Sequence, residues 1–114
     1  MFGFGRGKES KMYHKNLDGT HTGQLWFKTF LKDGQNNGPY ESYYENGQLE
    51  QKGSYKMGYK DGPWEYYHDN GKLSYMGSFK DGKQHGPFGR WDANGKSSSK
   101  KTYKDGELIS EEKF

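Results

Sequence analysis

Gly62-Pro63-Trp64-Glu65-Tyr66-Tyr67-His68-Asp69-Asn70-Gly71-Lys72-Leu73 decides the fold, because a step of 24 residues in either direction returns to the same pattern. Gly71-Lys72-Leu73 becomes Gly47-Gln48-Leu49 and Gly23-Gln24-Leu25 upstream, and Gly95-Lys96-Ser97 downstream. The same step relates Gly38-Pro39, Gly62-Pro63 and Gly86-Pro87. It also relates Leu31, Tyr55, Phe79 and Tyr103, each followed by lysine, and then Gly34, Gly58, Gly82 and Gly106. No insertion breaks the register. The chain is therefore about four copies of one supersecondary unit.

Each copy carries two turn signals. Asn46-Gly47, Asn70-Gly71 and Asn94-Gly95 predict two-residue type I′ loops, whose central residues both need positive φ. Asp33-Gly34, Asp81-Gly82 and Asp105-Gly106 mark the reverse turn into the next copy. The Tyr-, Trp- and Phe-rich segments between them have strand length and no helical period. Residues 107–114 fit either a last strand or a short helix, and the strand is the favoured reading. The reading is all-β: tandem 24-residue β-hairpins stacked into an elongated antiparallel meander sheet.

A two-residue loop at Asn46-Gly47 sets the expected pairs Tyr44–Leu49, Ser42–Gln51, Glu41–Lys52 and Tyr40–Gly53. Alternation then places Tyr40, Ser42, Tyr44, Leu49, Gln51 and Tyr55 on one face, and Glu41, Tyr43, Glu50, Lys52 and Lys56 on the other. The next copy sorts Trp64, Tyr66, His68, Leu73, Tyr75 and Phe79 onto the first face. Trp64 falls opposite Gly77, as Tyr40 falls opposite Gly53, and an aromatic ring over a cross-strand glycine fills the gap that glycine leaves.

Composition fits a thin structure resting on rings. Hydrophobic residues make up only 28% of 114 residues, yet 18% are aromatic and 18 are glycines, and each buried ring removes a large area from water. Without cysteine there are no disulfides or thiolate metal sites, and no apolar run is long enough for a signal peptide or a membrane span. A cytoplasmic location is the expectation. The net charge of +3 sits wholly in residues 1–16 (Arg6, Lys8, Lys11 and Lys15 against Glu9), and the rest is balanced. That distribution argues against nucleic acid, which needs a continuous basic face. Residues 1–13 are expected as a flexible basic arm and 14–114 as a single repeat domain.

The copy from Gly62 to Leu73, followed by Phe79-Lys80-Asp81-Gly82, resembles the MORN ("membrane occupation and recognition nexus") repeat, and more closely its bacterial variant. The likeness covers residues 23–106 and fades at both ends, where degenerate copies resemble the caps that repeat arrays require. It implies a protein-interaction module, antitoxin-like in the bacterial members, that sequesters a partner through the aromatic face. Lipid or membrane-surface binding, and self-assembly into a structural or viral protein, are the alternatives; a homo-oligomer would fit the last.

Catalytic and metal chemistry find no support. His14, His21, His68 and His85 lack the converging spacing a zinc site needs. An open sheet offers no pocket to shift a carboxylate pKa for acid–base work, and Gly3-Phe4-Gly5-Arg6-Gly7 precedes no strand-then-helix unit. No enzyme activity, metal or cofactor is expected. The recurring rings read as scaffold, so residues that break the pattern are the better candidates for binding: Trp26, where other copies carry Glu50 and Ser74, together with Tyr44, Tyr66, His68, Tyr75 and Met76. Tyr44, Tyr66, His68 and Tyr75 are expected to form one patch across the two central hairpins.

Overall fold

A computed structural model describes the backbone of residues 8–15 and 21–114, and the side chains of 8–11 and 26–114. The strands are β1 (Lys8–Lys15), β2 (His21–Lys32), β3 (Gln35–Asn36), β4 (Gly38–Tyr43), β5 (Leu49–Lys56), β6 (Tyr59–Lys60), β7 (Gly62–Tyr67), β8 (Leu73–Lys80), β9 (Lys83–Gln84), β10 (Gly86–Trp91), β11 (Ser97–Lys104) and β12 (Glu107–Lys113). They form one antiparallel sheet in the order β1-β2-β4-β5-β7-β8-β10-β11-β12, with the two-residue strands β3, β6 and β9 paired to the ends of β2, β5 and β8. No helix occurs among the described residues. The sheet measures 44 × 36 × 20 Å. The meander expected from the 24-residue period is therefore the observed fold.

The two turn types are exchanged relative to expectation. Type I′ geometry, with positive φ at both central residues, belongs to Asp33-Gly34, Met57-Gly58, Asp81-Gly82 and Asp105-Gly106. At the Asn-Gly tips only the glycine is left-handed, with φ of 90° at Gly47 and 89° at Gly71 and Gly95. The Gly47 N–H donates to Tyr44 O (2.9 Å), and the Tyr44 N–H to Gln48 O (2.8 Å). This is a type I turn closed by a left-handed residue, the usual three-residue hairpin loop. Asparagine serves these tips through its side chain. Asn46 Oδ1 accepts from the Gln48 N–H (2.9 Å), and Nδ2 donates across to Asp69 O (2.8 Å) in the next copy. Asn70 does the same with the Lys72 N–H and Ala93 O.

The longer loop changes the register near each tip. Tyr40–Gly53, Glu41–Lys52 and Ser42–Gln51 pair as expected, but Tyr43 pairs with Leu49, and a bulge leaves Glu50 over. Likewise Tyr67 pairs with Leu73. Directly opposed residues share a face, so Leu49 and Leu73 lie with Tyr43 and Tyr67, not with Tyr44 and His68. Glu50 moves the other way, and its carboxylate accepts from the buried Ser42 hydroxyl (2.9 Å).

The ends depart from the repeat where their sequences do. Gly23 sits inside β2; Thr22 precedes it where asparagine would make the turn. β1 makes a strand of Lys8–Lys15 out of much of the expected basic arm. Residues 1–7, and Asn16 and Gly19 of the first copy, lie outside the described residues. At the far end, Ile109-Ser110-Glu111 stands where earlier copies read Asp61-Gly62-Pro63 and His85-Gly86-Pro87. Gly62 and Gly86 have φ of 83° and 95° and break the strand there. Without that glycine and proline, β12 runs through as one strand. It is exposed along its length, and its Glu111, Glu112 and Lys113 suit a sheet edge that must not recruit another strand by accident.

Candidate functional site

One face of the sheet carries a continuous ladder of rings. From Phe27 it passes through Tyr40, Tyr55, Trp64, Tyr66, Tyr75 and Phe88 to Tyr103, with successive centroids 5.1–6.2 Å apart. These are normal separations for attractive ring pairs. Among the described residues, Trp64 and Phe88 are the buried hydrophobic ones, 0% and 1% exposed. The ring-over-glycine fit exists, but between copies. A Cβ on Gly53 would lie 2.1 Å from the Trp64 ring, and one on Gly77 would lie 2.3 Å from the Phe88 ring. Trp64 pairs with Gly77 in register, yet its ring lies over Gly53 of the preceding hairpin, and its indole N–H donates to Ser54 O (3.0 Å). The copies that carry Trp64 and Phe88 thus each seat that ring on the copy before.

Cations lie against this ladder. Lys60 Nζ sits 4.6 Å from the Trp64 ring centroid, 5.1 Å from Tyr66 and 5.2 Å from Phe79, and donates to the Tyr66 hydroxyl. Its burial holds its pKa below the usual lysine range. Arg90 lies 5.0 Å over the Tyr75 ring, and Gln84 Nε2 donates to the Tyr75 hydroxyl (3.0 Å). Such contacts are worth about 0.5–1 kcal/mol when exposed and more when desolvated.

The structure brings some of the candidate residues together and separates others. Tyr66 and Tyr75 are direct cross-strand partners with rings 5.6 Å apart, and form the centre of the open aromatic face. Tyr44 and His68 stand at the Asn-Gly tips and link copies. The Tyr44 hydroxyl donates to Tyr67 O (2.5 Å), and His68 Nε2 lies 2.9 Å from Trp91 O. Trp26, 44% exposed, occupies the bulge position on β2 with its ring edge-on to Phe27; β4 and β5 separate it from Tyr66. Among the described residues, no three histidine or acidic side chains converge closely enough to hold a metal ion.

The opposite face is laid out as a row of charges. Paired positions across the sheet read Lys28, Glu41, Lys52, Glu65, Met76, Gly89, Lys100 and Glu112. Lys28 and Glu41 form an ion pair at 3.3 Å. The Tyr43 and Tyr67 hydroxyls donate to Glu41 and Glu65 at 2.9 and 2.8 Å. One copy later, where the period would repeat Lys52, Glu65 and Tyr67, the chain has Met76, Gly89 and Trp91. The Trp91 indole lies over Gly89, 2.6 Å from where a Cβ would stand. Met76, Trp91, Lys100 and Phe114 help line an open depression of about 400 Å³. The comparison of positions 24 apart carried this signal, but only the register shows that the three changes meet.

Burial raises the hydroxyl pKa of Tyr40, Tyr55, Tyr66 and Tyr75 above the ordinary value. Tyr67 is pushed up to about 12, by desolvation first and then by its hydrogen bond to Glu65. A group whose folded pKa lies above its unfolded value stabilises the fold fully below the unfolded pKa, and that contribution disappears as pH rises through the folded one. Stability is therefore expected to hold up to about pH 10, the ordinary tyrosine value, and to fall from there toward pH 12. Thermal melts across that window, with tyrosine ionisation followed by absorbance, check this. A melting temperature unchanged to the top of the window would refute it.

The geometry defines a β-hairpin repeat protein, a single sheet whose two faces are both surfaces. The model of the MORN repeat variant family matches residues 36–57 and 60–81. Both matched stretches are similar to that repeat, and copies of the same 24-residue period flank them. No curated protein and no solved structure matches the chain. MORN repeats are in general protein- and membrane-binding modules.

Proposed function

We propose that this chain is a non-catalytic protein-binding module of the cytoplasm, which holds a protein partner on its aromatic face around Tyr66 and Tyr75. Antitoxin-like sequestration is the form of binding that the family likeness suggests. The observation that carries the reading is the half-buried ring ladder flanked by Lys60 and Arg90. Aromatic residues and arginine are the types enriched in protein–protein interface cores, and Tyr66 and Tyr75 are only partly covered within the ladder. The other face alternates lysine with glutamate, which favours a protein partner over a phosphate-rich one.

The test is affinity capture from the native host with the full chain and with Arg90→Glu and Tyr75→Ala, each variant checked by circular dichroism for an unchanged fold. Wild type is expected to retain one protein at stoichiometric yield, with both variants losing most of it. Recovery of the chain alone, or equal capture by folded variants, would count against the reading. Liposome co-sedimentation that rises with anionic lipid would support membrane binding instead.

A further inference from the structure

We propose that the charge-row face is a self-complementary interface for a second copy of this chain, centred on Met76 and Gly89. The row from β5 to β12 reads Lys52, Glu65, Met76, Gly89, Lys100, Glu112. In sign this is plus, minus, neutral, neutral, plus, minus. A two-fold axis lying between two such faces, parallel to the strands and midway between Met76 and Gly89, sets the row against its own reverse. Lys52 then faces Glu112 of the second copy, Glu65 faces Lys100, and Met76 faces Gly89, each contact occurring twice. Every charge meets its opposite, and the neutral pair meets itself. Such isologous pairing is the commonest symmetry of soluble oligomers.

The neighbouring row follows the same operation. Tyr67 is paired with Leu73 and Trp91 with Ser97, so the axis brings Leu73 against Trp91 of the second copy. The apolar groups that interrupt the charges, Met76 (39% exposed) and Trp91 beside the depression of about 400 Å³, would thus be covered at the centre. The charged pairs would form the rim, which is the arrangement of protein interfaces generally. Six strands at ~4.8 Å, with about three residues each on this face, give on the order of 500 Å² per copy. The total of ~1,000 Å² is near the lower limit for a specific interface, so the dimer is reversible. Charge complementarity selects a second copy as the occupant, and the aromatic face is left free for the partner proposed above.

Sedimentation equilibrium of the purified full chain, with no partner present, tests this independently of that proposal. Wild type is expected to be in monomer–dimer equilibrium. Lys100→Glu sets glutamate against Glu65 twice, and Glu65→Lys sets lysine against Lys100 twice; like charges opposed across an interface are unfavourable, so each is expected to weaken the dimer at least about tenfold. An equimolar mixture of the two variants restores both pairings, and a heterodimer of wild-type strength is expected. Met76→Glu, at an exposed position, is expected to abolish association and serves if either reversal misfolds by circular dichroism. A wild-type monomer at the highest attainable concentration would overturn the proposal. So would variants that dimerise like wild type, or a mixture that stays monomeric.

Discussion

Replacing Trp64 by alanine is expected to destabilise the fold by about 3–5 kcal/mol, the range for removing a large buried aromatic. Small domains have only about 5–15 kcal/mol in total, so this single change should consume a large share of the stability. Three losses combine. The indole is 0% exposed, so its area returns to water. It contacts Tyr40, Tyr55 and Tyr66 at centroid distances of 5.8, 5.1 and 6.2 Å, so the ladder is cut at its middle. Its N–H also leaves Ser54 O without that donor. Urea denaturation measures the cost, and a loss below about 1 kcal/mol, typical of surface changes, would mean that the rings are not the core.

Gly53→Ala is expected to be nearly as damaging, although it adds a single methyl group. The new Cβ would lie 2.1–2.5 Å from three atoms of the Trp64 ring, and that ring has no room to retreat between Tyr40 and Tyr55. Overpacking of a filled interior costs about 1–3 kcal/mol and occasionally more. The double variant identifies the cause. With Trp64→Ala in place, the methyl group has nothing to strike, so Gly53→Ala should then cost well under its single-variant value. A coupling of this kind between contacting residues is measured by the double-mutant cycle. Simple additivity would place the defect in the backbone instead of in the ring seat.

Much of the fold was legible because its signals are local and repeated. Turn dipeptides at a fixed period name the bends, and the aromatic segments between them can only be strands. The exchange of turn types was not legible in the same way. Asn-Gly suits both a two-residue I′ loop and the second half of a three-residue loop, and the choice rests on Asn46 and Asn70 reaching the neighbouring copy. Met57, at φ 49°, makes a I′ turn with a residue that gives no turn signal. Because the loop length was off by one, Leu49 and Leu73 were assigned to the wrong face, while the mid-strand pairs held. Tyr66 and Tyr75 could be joined from sequence because they are mid-strand partners. The roles of Tyr44 and His68 at the tips depend on contacts between copies, which alternation within one hairpin cannot supply.

The ring seats also give the array a direction. Trp64 and Phe88 reach back to Gly53 and Gly77, so each of these two hairpins fills a vacancy the shape of an aromatic ring in the hairpin before it. The residue one period after Gly77 is Lys101, whose ammonium lies 3.9 Å from Glu111. A ring in the same register would lie on that side chain instead of on a bare glycine. Lys101→Gly would open there a seat of the kind that Gly53 and Gly77 provide.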